Sequence, residues 1–399
     1  ENSARAYSSG ARINTDNHPR LEFTTPRYLY LTTFGSNMES MVPFLNTPLN
    51  IINKTVTADE KSKLETYASF RKHVMQGGAF KERSEWQGAV SEFEAALKLI
   101  PDNNVIKEPL AESYEQLGAE YASQGKLQDS VDIYKKEMYL FPDRAAAYKA
   151  IAVVAQSGGM TNEALEYLLR AVELAPNDSE IYMNLGNIYL FRKEFANAIT
   201  LFSRSIELSP ASAIAYDSRG SAYLGLGDLD KAIADFSEAI RLNPKSATSY
   251  VSRAKVYIQK GDYSRAIMDT TLAARIDSDL PSAYENRGIA ELNLGNYTRA
   301  IKDFSQAIEQ KPSAQLYDNR SLAYINLRQY DKALKDLEQS NILDASYALP
   351  YYRLGYVYQE TGDKGKAIAS YEKFLTLSQN DQLNATAKAS LERLKKTSN

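Results

Sequence analysis

The feature that most constrains this chain is a self-similarity with a period of 34 residues. Nine segments align on that ruler, beginning at Phe70, Ala111, Ala145, Ser179, Ala213, Ala247, Pro281, Ala314 and Ala348, with spacings of 41, 34, 34, 34, 34, 34, 33 and 34. A period of this size describes one supersecondary unit that cannot bury its apolar face alone and must stack on its neighbours. The core then grows along one axis, so the 399-residue length does not imply two or three separate globular domains. The long first spacing holds seven extra residues, Asn104 to Leu110, which read as an extended loop.

Within each repeat the recurring residue types have physical causes. Position 4 is Tyr in every repeat but the first, which has His73, and position 8 is always small, as in Gly118, Ala152 and Ser321. Position 20 is Ala or Ser throughout, from Ala89 and Ser130 to Ala367. Aromatics at positions 4, 11 and 24 (Tyr216, Tyr223 and Phe236 in the fifth repeat) sit at helical spacing and form one apolar stripe per helix pair. Small residues at 8 and 20 let two helix backbones approach. Gly-Asp pairs such as Gly227-Asp228 and Gly261-Asp262 turn the chain between helices, and prolines such as Pro176, Pro210 and Pro244 close most repeats.

This pattern resembles the tetratricopeptide-repeat (TPR) family over about residues 70–380. The resemblance implies an all-α fold: a right-handed TPR superhelical solenoid of about nine helix-turn-helix repeats, spanning 61–381. An irregular arm at 1–60 precedes it, and residues 382–399 form a polar capping helix and tail that cover the last repeat.

Residues 1–60 do not follow the repeat. The stretch from Asn14 through Phe23, followed by Pro26-Arg27 and Leu29-Tyr30, resembles the tail of the spermidine-synthase-like domain of bacterial membrane-fused proteins, with Asn17 where that family has a second Asp. This implies a larger bacterial parent protein, held at the cell envelope or membrane through an upstream region. No glycine-rich loop between a strand and a helix is present in these 399 residues, so this chain does not itself carry that chemistry.

Composition narrows the function classes. With no cysteine and only two histidines, His18 and His73, a thiolate or histidine metal site and a histidine-based catalytic triad are not expected. The expectation is of no catalytic residues, no metal and no cofactor. Lys+Arg number 47 against 50 Asp+Glu, which offers no long-range attraction for nucleic acid. No run of about 18 apolar residues exists to insert into a membrane.

Comparison between repeats singles out two residue sets. Position 7 is Arg in four consecutive repeats, Arg219, Arg253, Arg287 and Arg320, and position 23 is Asp in the same four, Asp235, Asp269, Asp303 and Asp336. In repeats two to four both positions are uncharged, as in Leu117 with Ile133 and Leu185 with Leu201. These pairs are expected to be bidentate, partly buried structural ion pairs between the two helices of a repeat, although repeat duplication alone would also copy both residues.

The TPR resemblance further implies a groove lined by positions 2, 5, 6, 9 and 12 of the first helix. It assigns Asn184, Asn187, Ser218, Ser221, Ser252, Lys255, Asn286, Asp318 and Asn319 to partner binding, with Asp217 and Glu285 nearby. Asn side chains can pair with both the N–H and the C=O of an extended peptide. The simpler reading is that Asn and Ser are well-solvated residues of an exposed helix face. Lys149, Lys255 and Arg353 are too scattered for a clamp on a C-terminal carboxylate. Tyr352 and Tyr356 form a further apolar patch unless the capping helix covers it.

The expected function is a scaffold that binds a protein or an extended peptide. Two alternatives stand beside it: self-assembly of copies through the N-terminal arm, and a regulatory C-terminal region of a polyamine-synthase-like protein.

Overall fold

The computed structural model describes residues 21–25, 28–31, 58–101 and 103–396, and the chain divides into two compact parts between Leu117 and Gly118. The remainder of the segment that resembles a synthase tail, and most of the 1–60 arm, lie outside the described residues.

In the N-terminal part, strands β1 (Leu21–Thr25) and β2 (Tyr28–Leu31) pair antiparallel, with Leu21 opposite Leu31 and Thr25 opposite Tyr28. The arm expected to be irregular thus contains a short strand pair, built from two segments that carry the Thr, Phe and Tyr that suit strands. Helices α1 (Ala58–Glu82) and α2 (Trp86–Leu99) form the first repeat, burying Phe70, Val74, Val90 and Phe93 between them.

Helix α3 (Asn104–Ser123) corrects the reading of residues 104–110 as a loop. They are helical. Ile106, Leu110 and Tyr114, spaced i, i+4, i+8, are all buried, so the insertion extends the apolar stripe of the helix by two turns. Pro109, the sixth residue of α3, lies inside the helix and removes one backbone bond there, and the Asn103 side chain accepts from the Val105 N–H at 2.9 Å.

The C-terminal part is a solenoid of helix pairs. After the end of α3 come α4 (Leu127–Leu140), α5 (Ala145–Ser157), α6 (Thr161–Leu174), α7 (Ser179–Phe191) and α8 (Phe195–Leu208). They are followed by α9 (Ala213–Leu226), α10 (Leu229–Leu242), α11 (Ala247–Gln259), α12 (Tyr263–Ile276) and α13 (Pro281–Asn293). The series ends with α14 (Tyr297–Gln310), α15 (Ala314–Asn326), α16 (Tyr330–Leu343), α17 (Ala348–Thr361), α18 (Lys364–Leu377) and α19 (Asp381–Lys396). From α5 to α18 each helix A (odd-numbered) packs on the helix B (even-numbered) of its repeat, and from α4 onward each B packs on the odd-numbered helix that follows it. Helix α19 extends the stack, burying Ala387 and Leu391 against Tyr371 and Phe374.

Close approach within a repeat rests on position 8. A Cβ at Gly186 would lie 2.5 Å from the Phe202 ring, and one at Gly288 would lie 2.7 Å from Phe304. The repeats with Ala or Ser at position 8 (Ala152, Ala254, Ser321) carry Leu168, Thr270 and Leu337 at position 24, where the glycine repeats carry an aromatic ring. The volume given up on helix A is filled from helix B.

The turn between A and B passes through position 15 in a left-handed conformation. Glycine supplies it at Gly125, Gly159, Gly227, Gly261, Gly295 and Gly362, while Ser84, Lys193 and Arg328 adopt it at φ 57°, 62° and 57°. Asp228, Asp262 and Asp363 then cap the following B helix by accepting the N–H of Lys231, Arg265 and Lys366.

Candidate functional site: the inner helix face

In the C-terminal part successive A helices approach one another, whereas the B helices are spaced apart by the A helices between them. The A helices therefore line the inner side of the solenoid. Position 6 places Asn184, Ser218, Ser252, Asn286 and Asn319 on five consecutive A helices, each half-buried. Asn187 and Ser221 lie one turn further on, also half-buried, and Lys255 is exposed.

The hydrogen-bond inventory separates these residues. Asn286 Nδ2 donates to the Ser282 carbonyl at 2.9 Å, and Ser221 Oγ to the Asp217 carbonyl at 3.0 Å, each within its own helix. Among the described residues, no hydrogen bond within the chain engages the side chains of Asn184, Asn187, Ser218, Ser252 or Asn319, and none of their polar atoms is buried without a partner. They face solvent with donors and acceptors available.

Asp318 does not belong with them. It was expected to face a partner, but it is fully buried. Its carboxylate is ion-paired with Arg353 of the next repeat and accepts from the Tyr347 hydroxyl at 2.9 Å, while Arg353 Nη1 also donates to the Asp318 carbonyl at 2.9 Å. Burial pushes the Asp318 carboxyl up, against the opposing pull of Arg353, and burial together with the adjacent carboxylate raises the Tyr347 phenol. Lys149, also at position 5, is likewise committed within the stack, to Asp178 at the repeat junction at 3.1 Å and to Glu180 of the next repeat.

Behind the inner face stand the Arg–Asp pairs. Arg219 donates from Nε and Nη2 to the two oxygens of Asp235, both at 2.8 Å, and Arg253 meets Asp269 identically. Arg287 reaches Asp303 at 2.9 and 2.6 Å, and Arg320 reaches Asp336 at 2.8 and 2.7 Å. Each Asp is buried and each Arg about one-fifth exposed. The hydrogen bond to its Asp is the largest influence raising each of these guanidinium pKa values. Each Arg also lies within 5.9 Å of the position-4 Tyr ring of its repeat.

A third contact escaped the sequence reading. The remaining guanidinium nitrogen donates to a hydroxyl of the preceding repeat: Arg219 to Ser203 at 3.0 Å, Arg253 to Ser237 at 2.9 Å, Arg287 to Thr271 at 3.4 Å and Arg320 to Ser305 at 2.9 Å. These hydroxyls all occupy position 25, and the signal was present in the sequence. Position 25 is Ser or Thr in the four repeats that precede an arginine repeat, and Glu94, Lys135, Leu169, Glu338 or Glu372 elsewhere. The ion pairs therefore tie repeats to one another as well as A to B.

At the C-terminal end, Tyr352 packs edge-on to Tyr371 at 5.8 Å and against Phe374 at 5.3 Å, within the cluster that α19 joins. Tyr356 remains 38% exposed. Among the described residues there is no group of three His, Cys, Asp or Glu placed to hold a metal ion, and no helix long and apolar enough to cross a membrane.

Comparison with known proteins accords with this geometry. Family profiles described as tetratricopeptide repeat match residues 149–213, 254–319, 314–346 and 348–381, and one described as TPR repeat matches 220–261. The chain is similar to a tetratricopeptide repeat protein from Parabacteroides merdae, at 21% identity and TM-score 0.50, over 63% of this chain and 98% of that one. It is also similar to a chain of the APC/C hetero-tetramer Cut9–Hcn1, at 17% identity and TM-score 0.53, over 89% of this chain and 81% of that one. Among curated proteins, a CTR9 homolog of Arabidopsis thaliana is 30% identical over 77 residues, which are 19% of this chain and 7% of that protein.

Proposed function

From the premise that the chain carries tetratricopeptide repeats between residues 149 and 381, we propose that it is a protein-interaction scaffold whose inner helix face holds an extended segment of a partner protein. The observation that carries this reading is the row Asn184, Ser218, Ser252 and Asn319, whose side chains make no hydrogen bond within the chain among the described residues. An amide side chain presents a donor and an acceptor together, the combination an extended peptide backbone requires. The Arg–Asp pairs behind Ser218, Ser252 and Asn319 tie those A helices to the B helices on either side, so little ordering entropy is lost on binding.

The test begins with peptides selected from a random phage-display library on the full chain, then titrated by fluorescence anisotropy. Each side-chain-to-backbone bond contributes roughly 1 kcal/mol, so the combined Asn184→Ala, Ser252→Ala and Asn319→Ala variant should bind at least ten-fold more weakly. Its thermal melt should match the parent's. Binding by the variant within about two-fold of the parent, an effect of less than roughly 0.5 kcal/mol, overturns the assignment of the groove.

A further inference from the structure

From the third repeat onward, position 5 of the A helices is charged in four repeats, and its occupants differ in how that charge is met. Lys149 has Asp178 at the junction with the following repeat and Glu180 within it. Asp318 has Arg353 and the Tyr347 hydroxyl. Glu285 lies in the field of Lys255, one repeat before it. Asp217 has no such partner. The position-5 residues on either side of it are Met183 and Val251, both partly buried and packed into apolar clusters. Among the described residues the Ser249 hydroxyl meets the Asp217 carboxylate, Oδ1 is buried with no hydrogen-bond partner, and no cation pairs with it.

A half-buried carboxylate between apolar neighbours has lost part of its hydration without gaining a counter-charge, an arrangement a mobile cation from outside would improve. Burial already pushes the Asp217 carboxyl up, the direction expected of an uncompensated charge. Asp217 lies beside Ser218 in the row that has free donors and acceptors, with Ser252 on the next A helix. An extended chain whose backbone lies on that row would carry its side chains past Asp217.

We infer that Asp217 is the specificity-determining subsite of this groove, and that it takes the cationic side chain, Lys or Arg, of the bound segment. This rests on the groove function proposed above. A charge-assisted hydrogen bond from an ammonium or guanidinium would supply the counter-charge that the carboxylate lacks, and would neutralise it away from bulk water.

The selected peptides test this directly. They should share one Lys or Arg at a fixed position. Replacing that residue by norleucine, or Asp217 by Asn, should each weaken binding by about ten-fold, and the two changes together should weaken it little more than either alone. Thermal melts of Asp217→Asn report on its folding. Selected peptides without a common basic residue, or equal binding by Asp217→Asn, overturn the cation subsite. If Asn184→Ala and Ser252→Ala still weaken those peptides, the groove stands and only the subsite fails. If no peptide is enriched, or if these substitutions also leave binding unchanged, the groove reading fails with it.

Discussion

At the scale of single residues, the repeats are held by side-chain complementarity that differs from one repeat to the next. The fourth repeat pairs Gly186 with the Phe202 ring, and the third pairs Ala152 with Leu168. A Cβ at Gly186 would stand 2.5 Å from a fully buried ring that has nowhere to turn. Gly186→Ala would gain roughly 0.5–1 kcal/mol of helix propensity, yet overpacking a dense core costs roughly 1–3 kcal/mol. The clash wins, and chemical denaturation should show a net loss of about 1–2 kcal/mol. Adding Phe202→Leu should recover most of it by recreating the pairing of the third repeat. If the double variant is no more stable than Gly186→Ala, the complementarity argument is wrong. The corresponding contact at Gly220 is looser, at 3.0 Å from Phe236, so Gly220→Ala should cost less.

At the scale of elements, the A-to-B turn is the most uniform feature of the chain, and two of its instances in the C-terminal part are strained. Lys193 and Arg328 hold positive φ at a site where six other repeats use glycine, and both side chains are exposed. A left-handed conformation costs an L residue roughly 1–2 kcal/mol, partly offset by the greater unfolded-state entropy of glycine. Lys193→Gly and Arg328→Gly should therefore each stabilise the chain, by about 0.5–1 kcal/mol, read as a raised denaturation midpoint. A lowered midpoint would mean that these side chains make contacts worth more than the strain. Helix α3 carries a different lesson. Residues 104–110 exceed the repeat period and so read as a loop, but Ile106 and Leu110 continue the spacing of Tyr114, and burial of that stripe outweighs one lost backbone bond.

At the scale of the whole molecule, a repeat stack is stabilised by nearest-neighbour interfaces and is weakest where a neighbour is missing. Helix α19 is the neighbour of the ninth repeat, covering Tyr371 and Phe374, which are 2% and 1% exposed. Ending the chain after Asn380 would uncover both rings, at a cost of about 3 kcal/mol. Hydrogen exchange should then show protection lost first in α17 and α18 and retained in α9 to α16, where the Arg–Asp–hydroxyl contacts link four successive repeats to their neighbours. A uniform loss of protection would indicate a single cooperative block and contradict nearest-neighbour stacking. These ion pairs are largely removed from solvent, so added salt should weaken them less than it weakens exposed pairs such as Lys231–Asp228.

The fold class, the repeat boundaries near Ala145, Ala213 and Ala348, and the small-residue contacts at positions 8 and 20 follow from periodicity, because each repeat solves the same packing problem with the same residue types. The co-occurrence of Arg at position 7 with Asp at position 23 was likewise legible, since a change on one helix has to be answered on its neighbour. The identity of the groove residues was not. Asp217 and Asp318 occupy the same position of two repeats and look alike in sequence. Only the tertiary structure separates them, because Arg353 of the next repeat and Tyr347 at the junction between the two repeats close over Asp318, while Met183 and Val251 leave Asp217 without a partner charge. Repeat identity is a local property carried by spacing along the chain, whereas solvation and pairing depend on which side chains of neighbouring repeats meet across the stack.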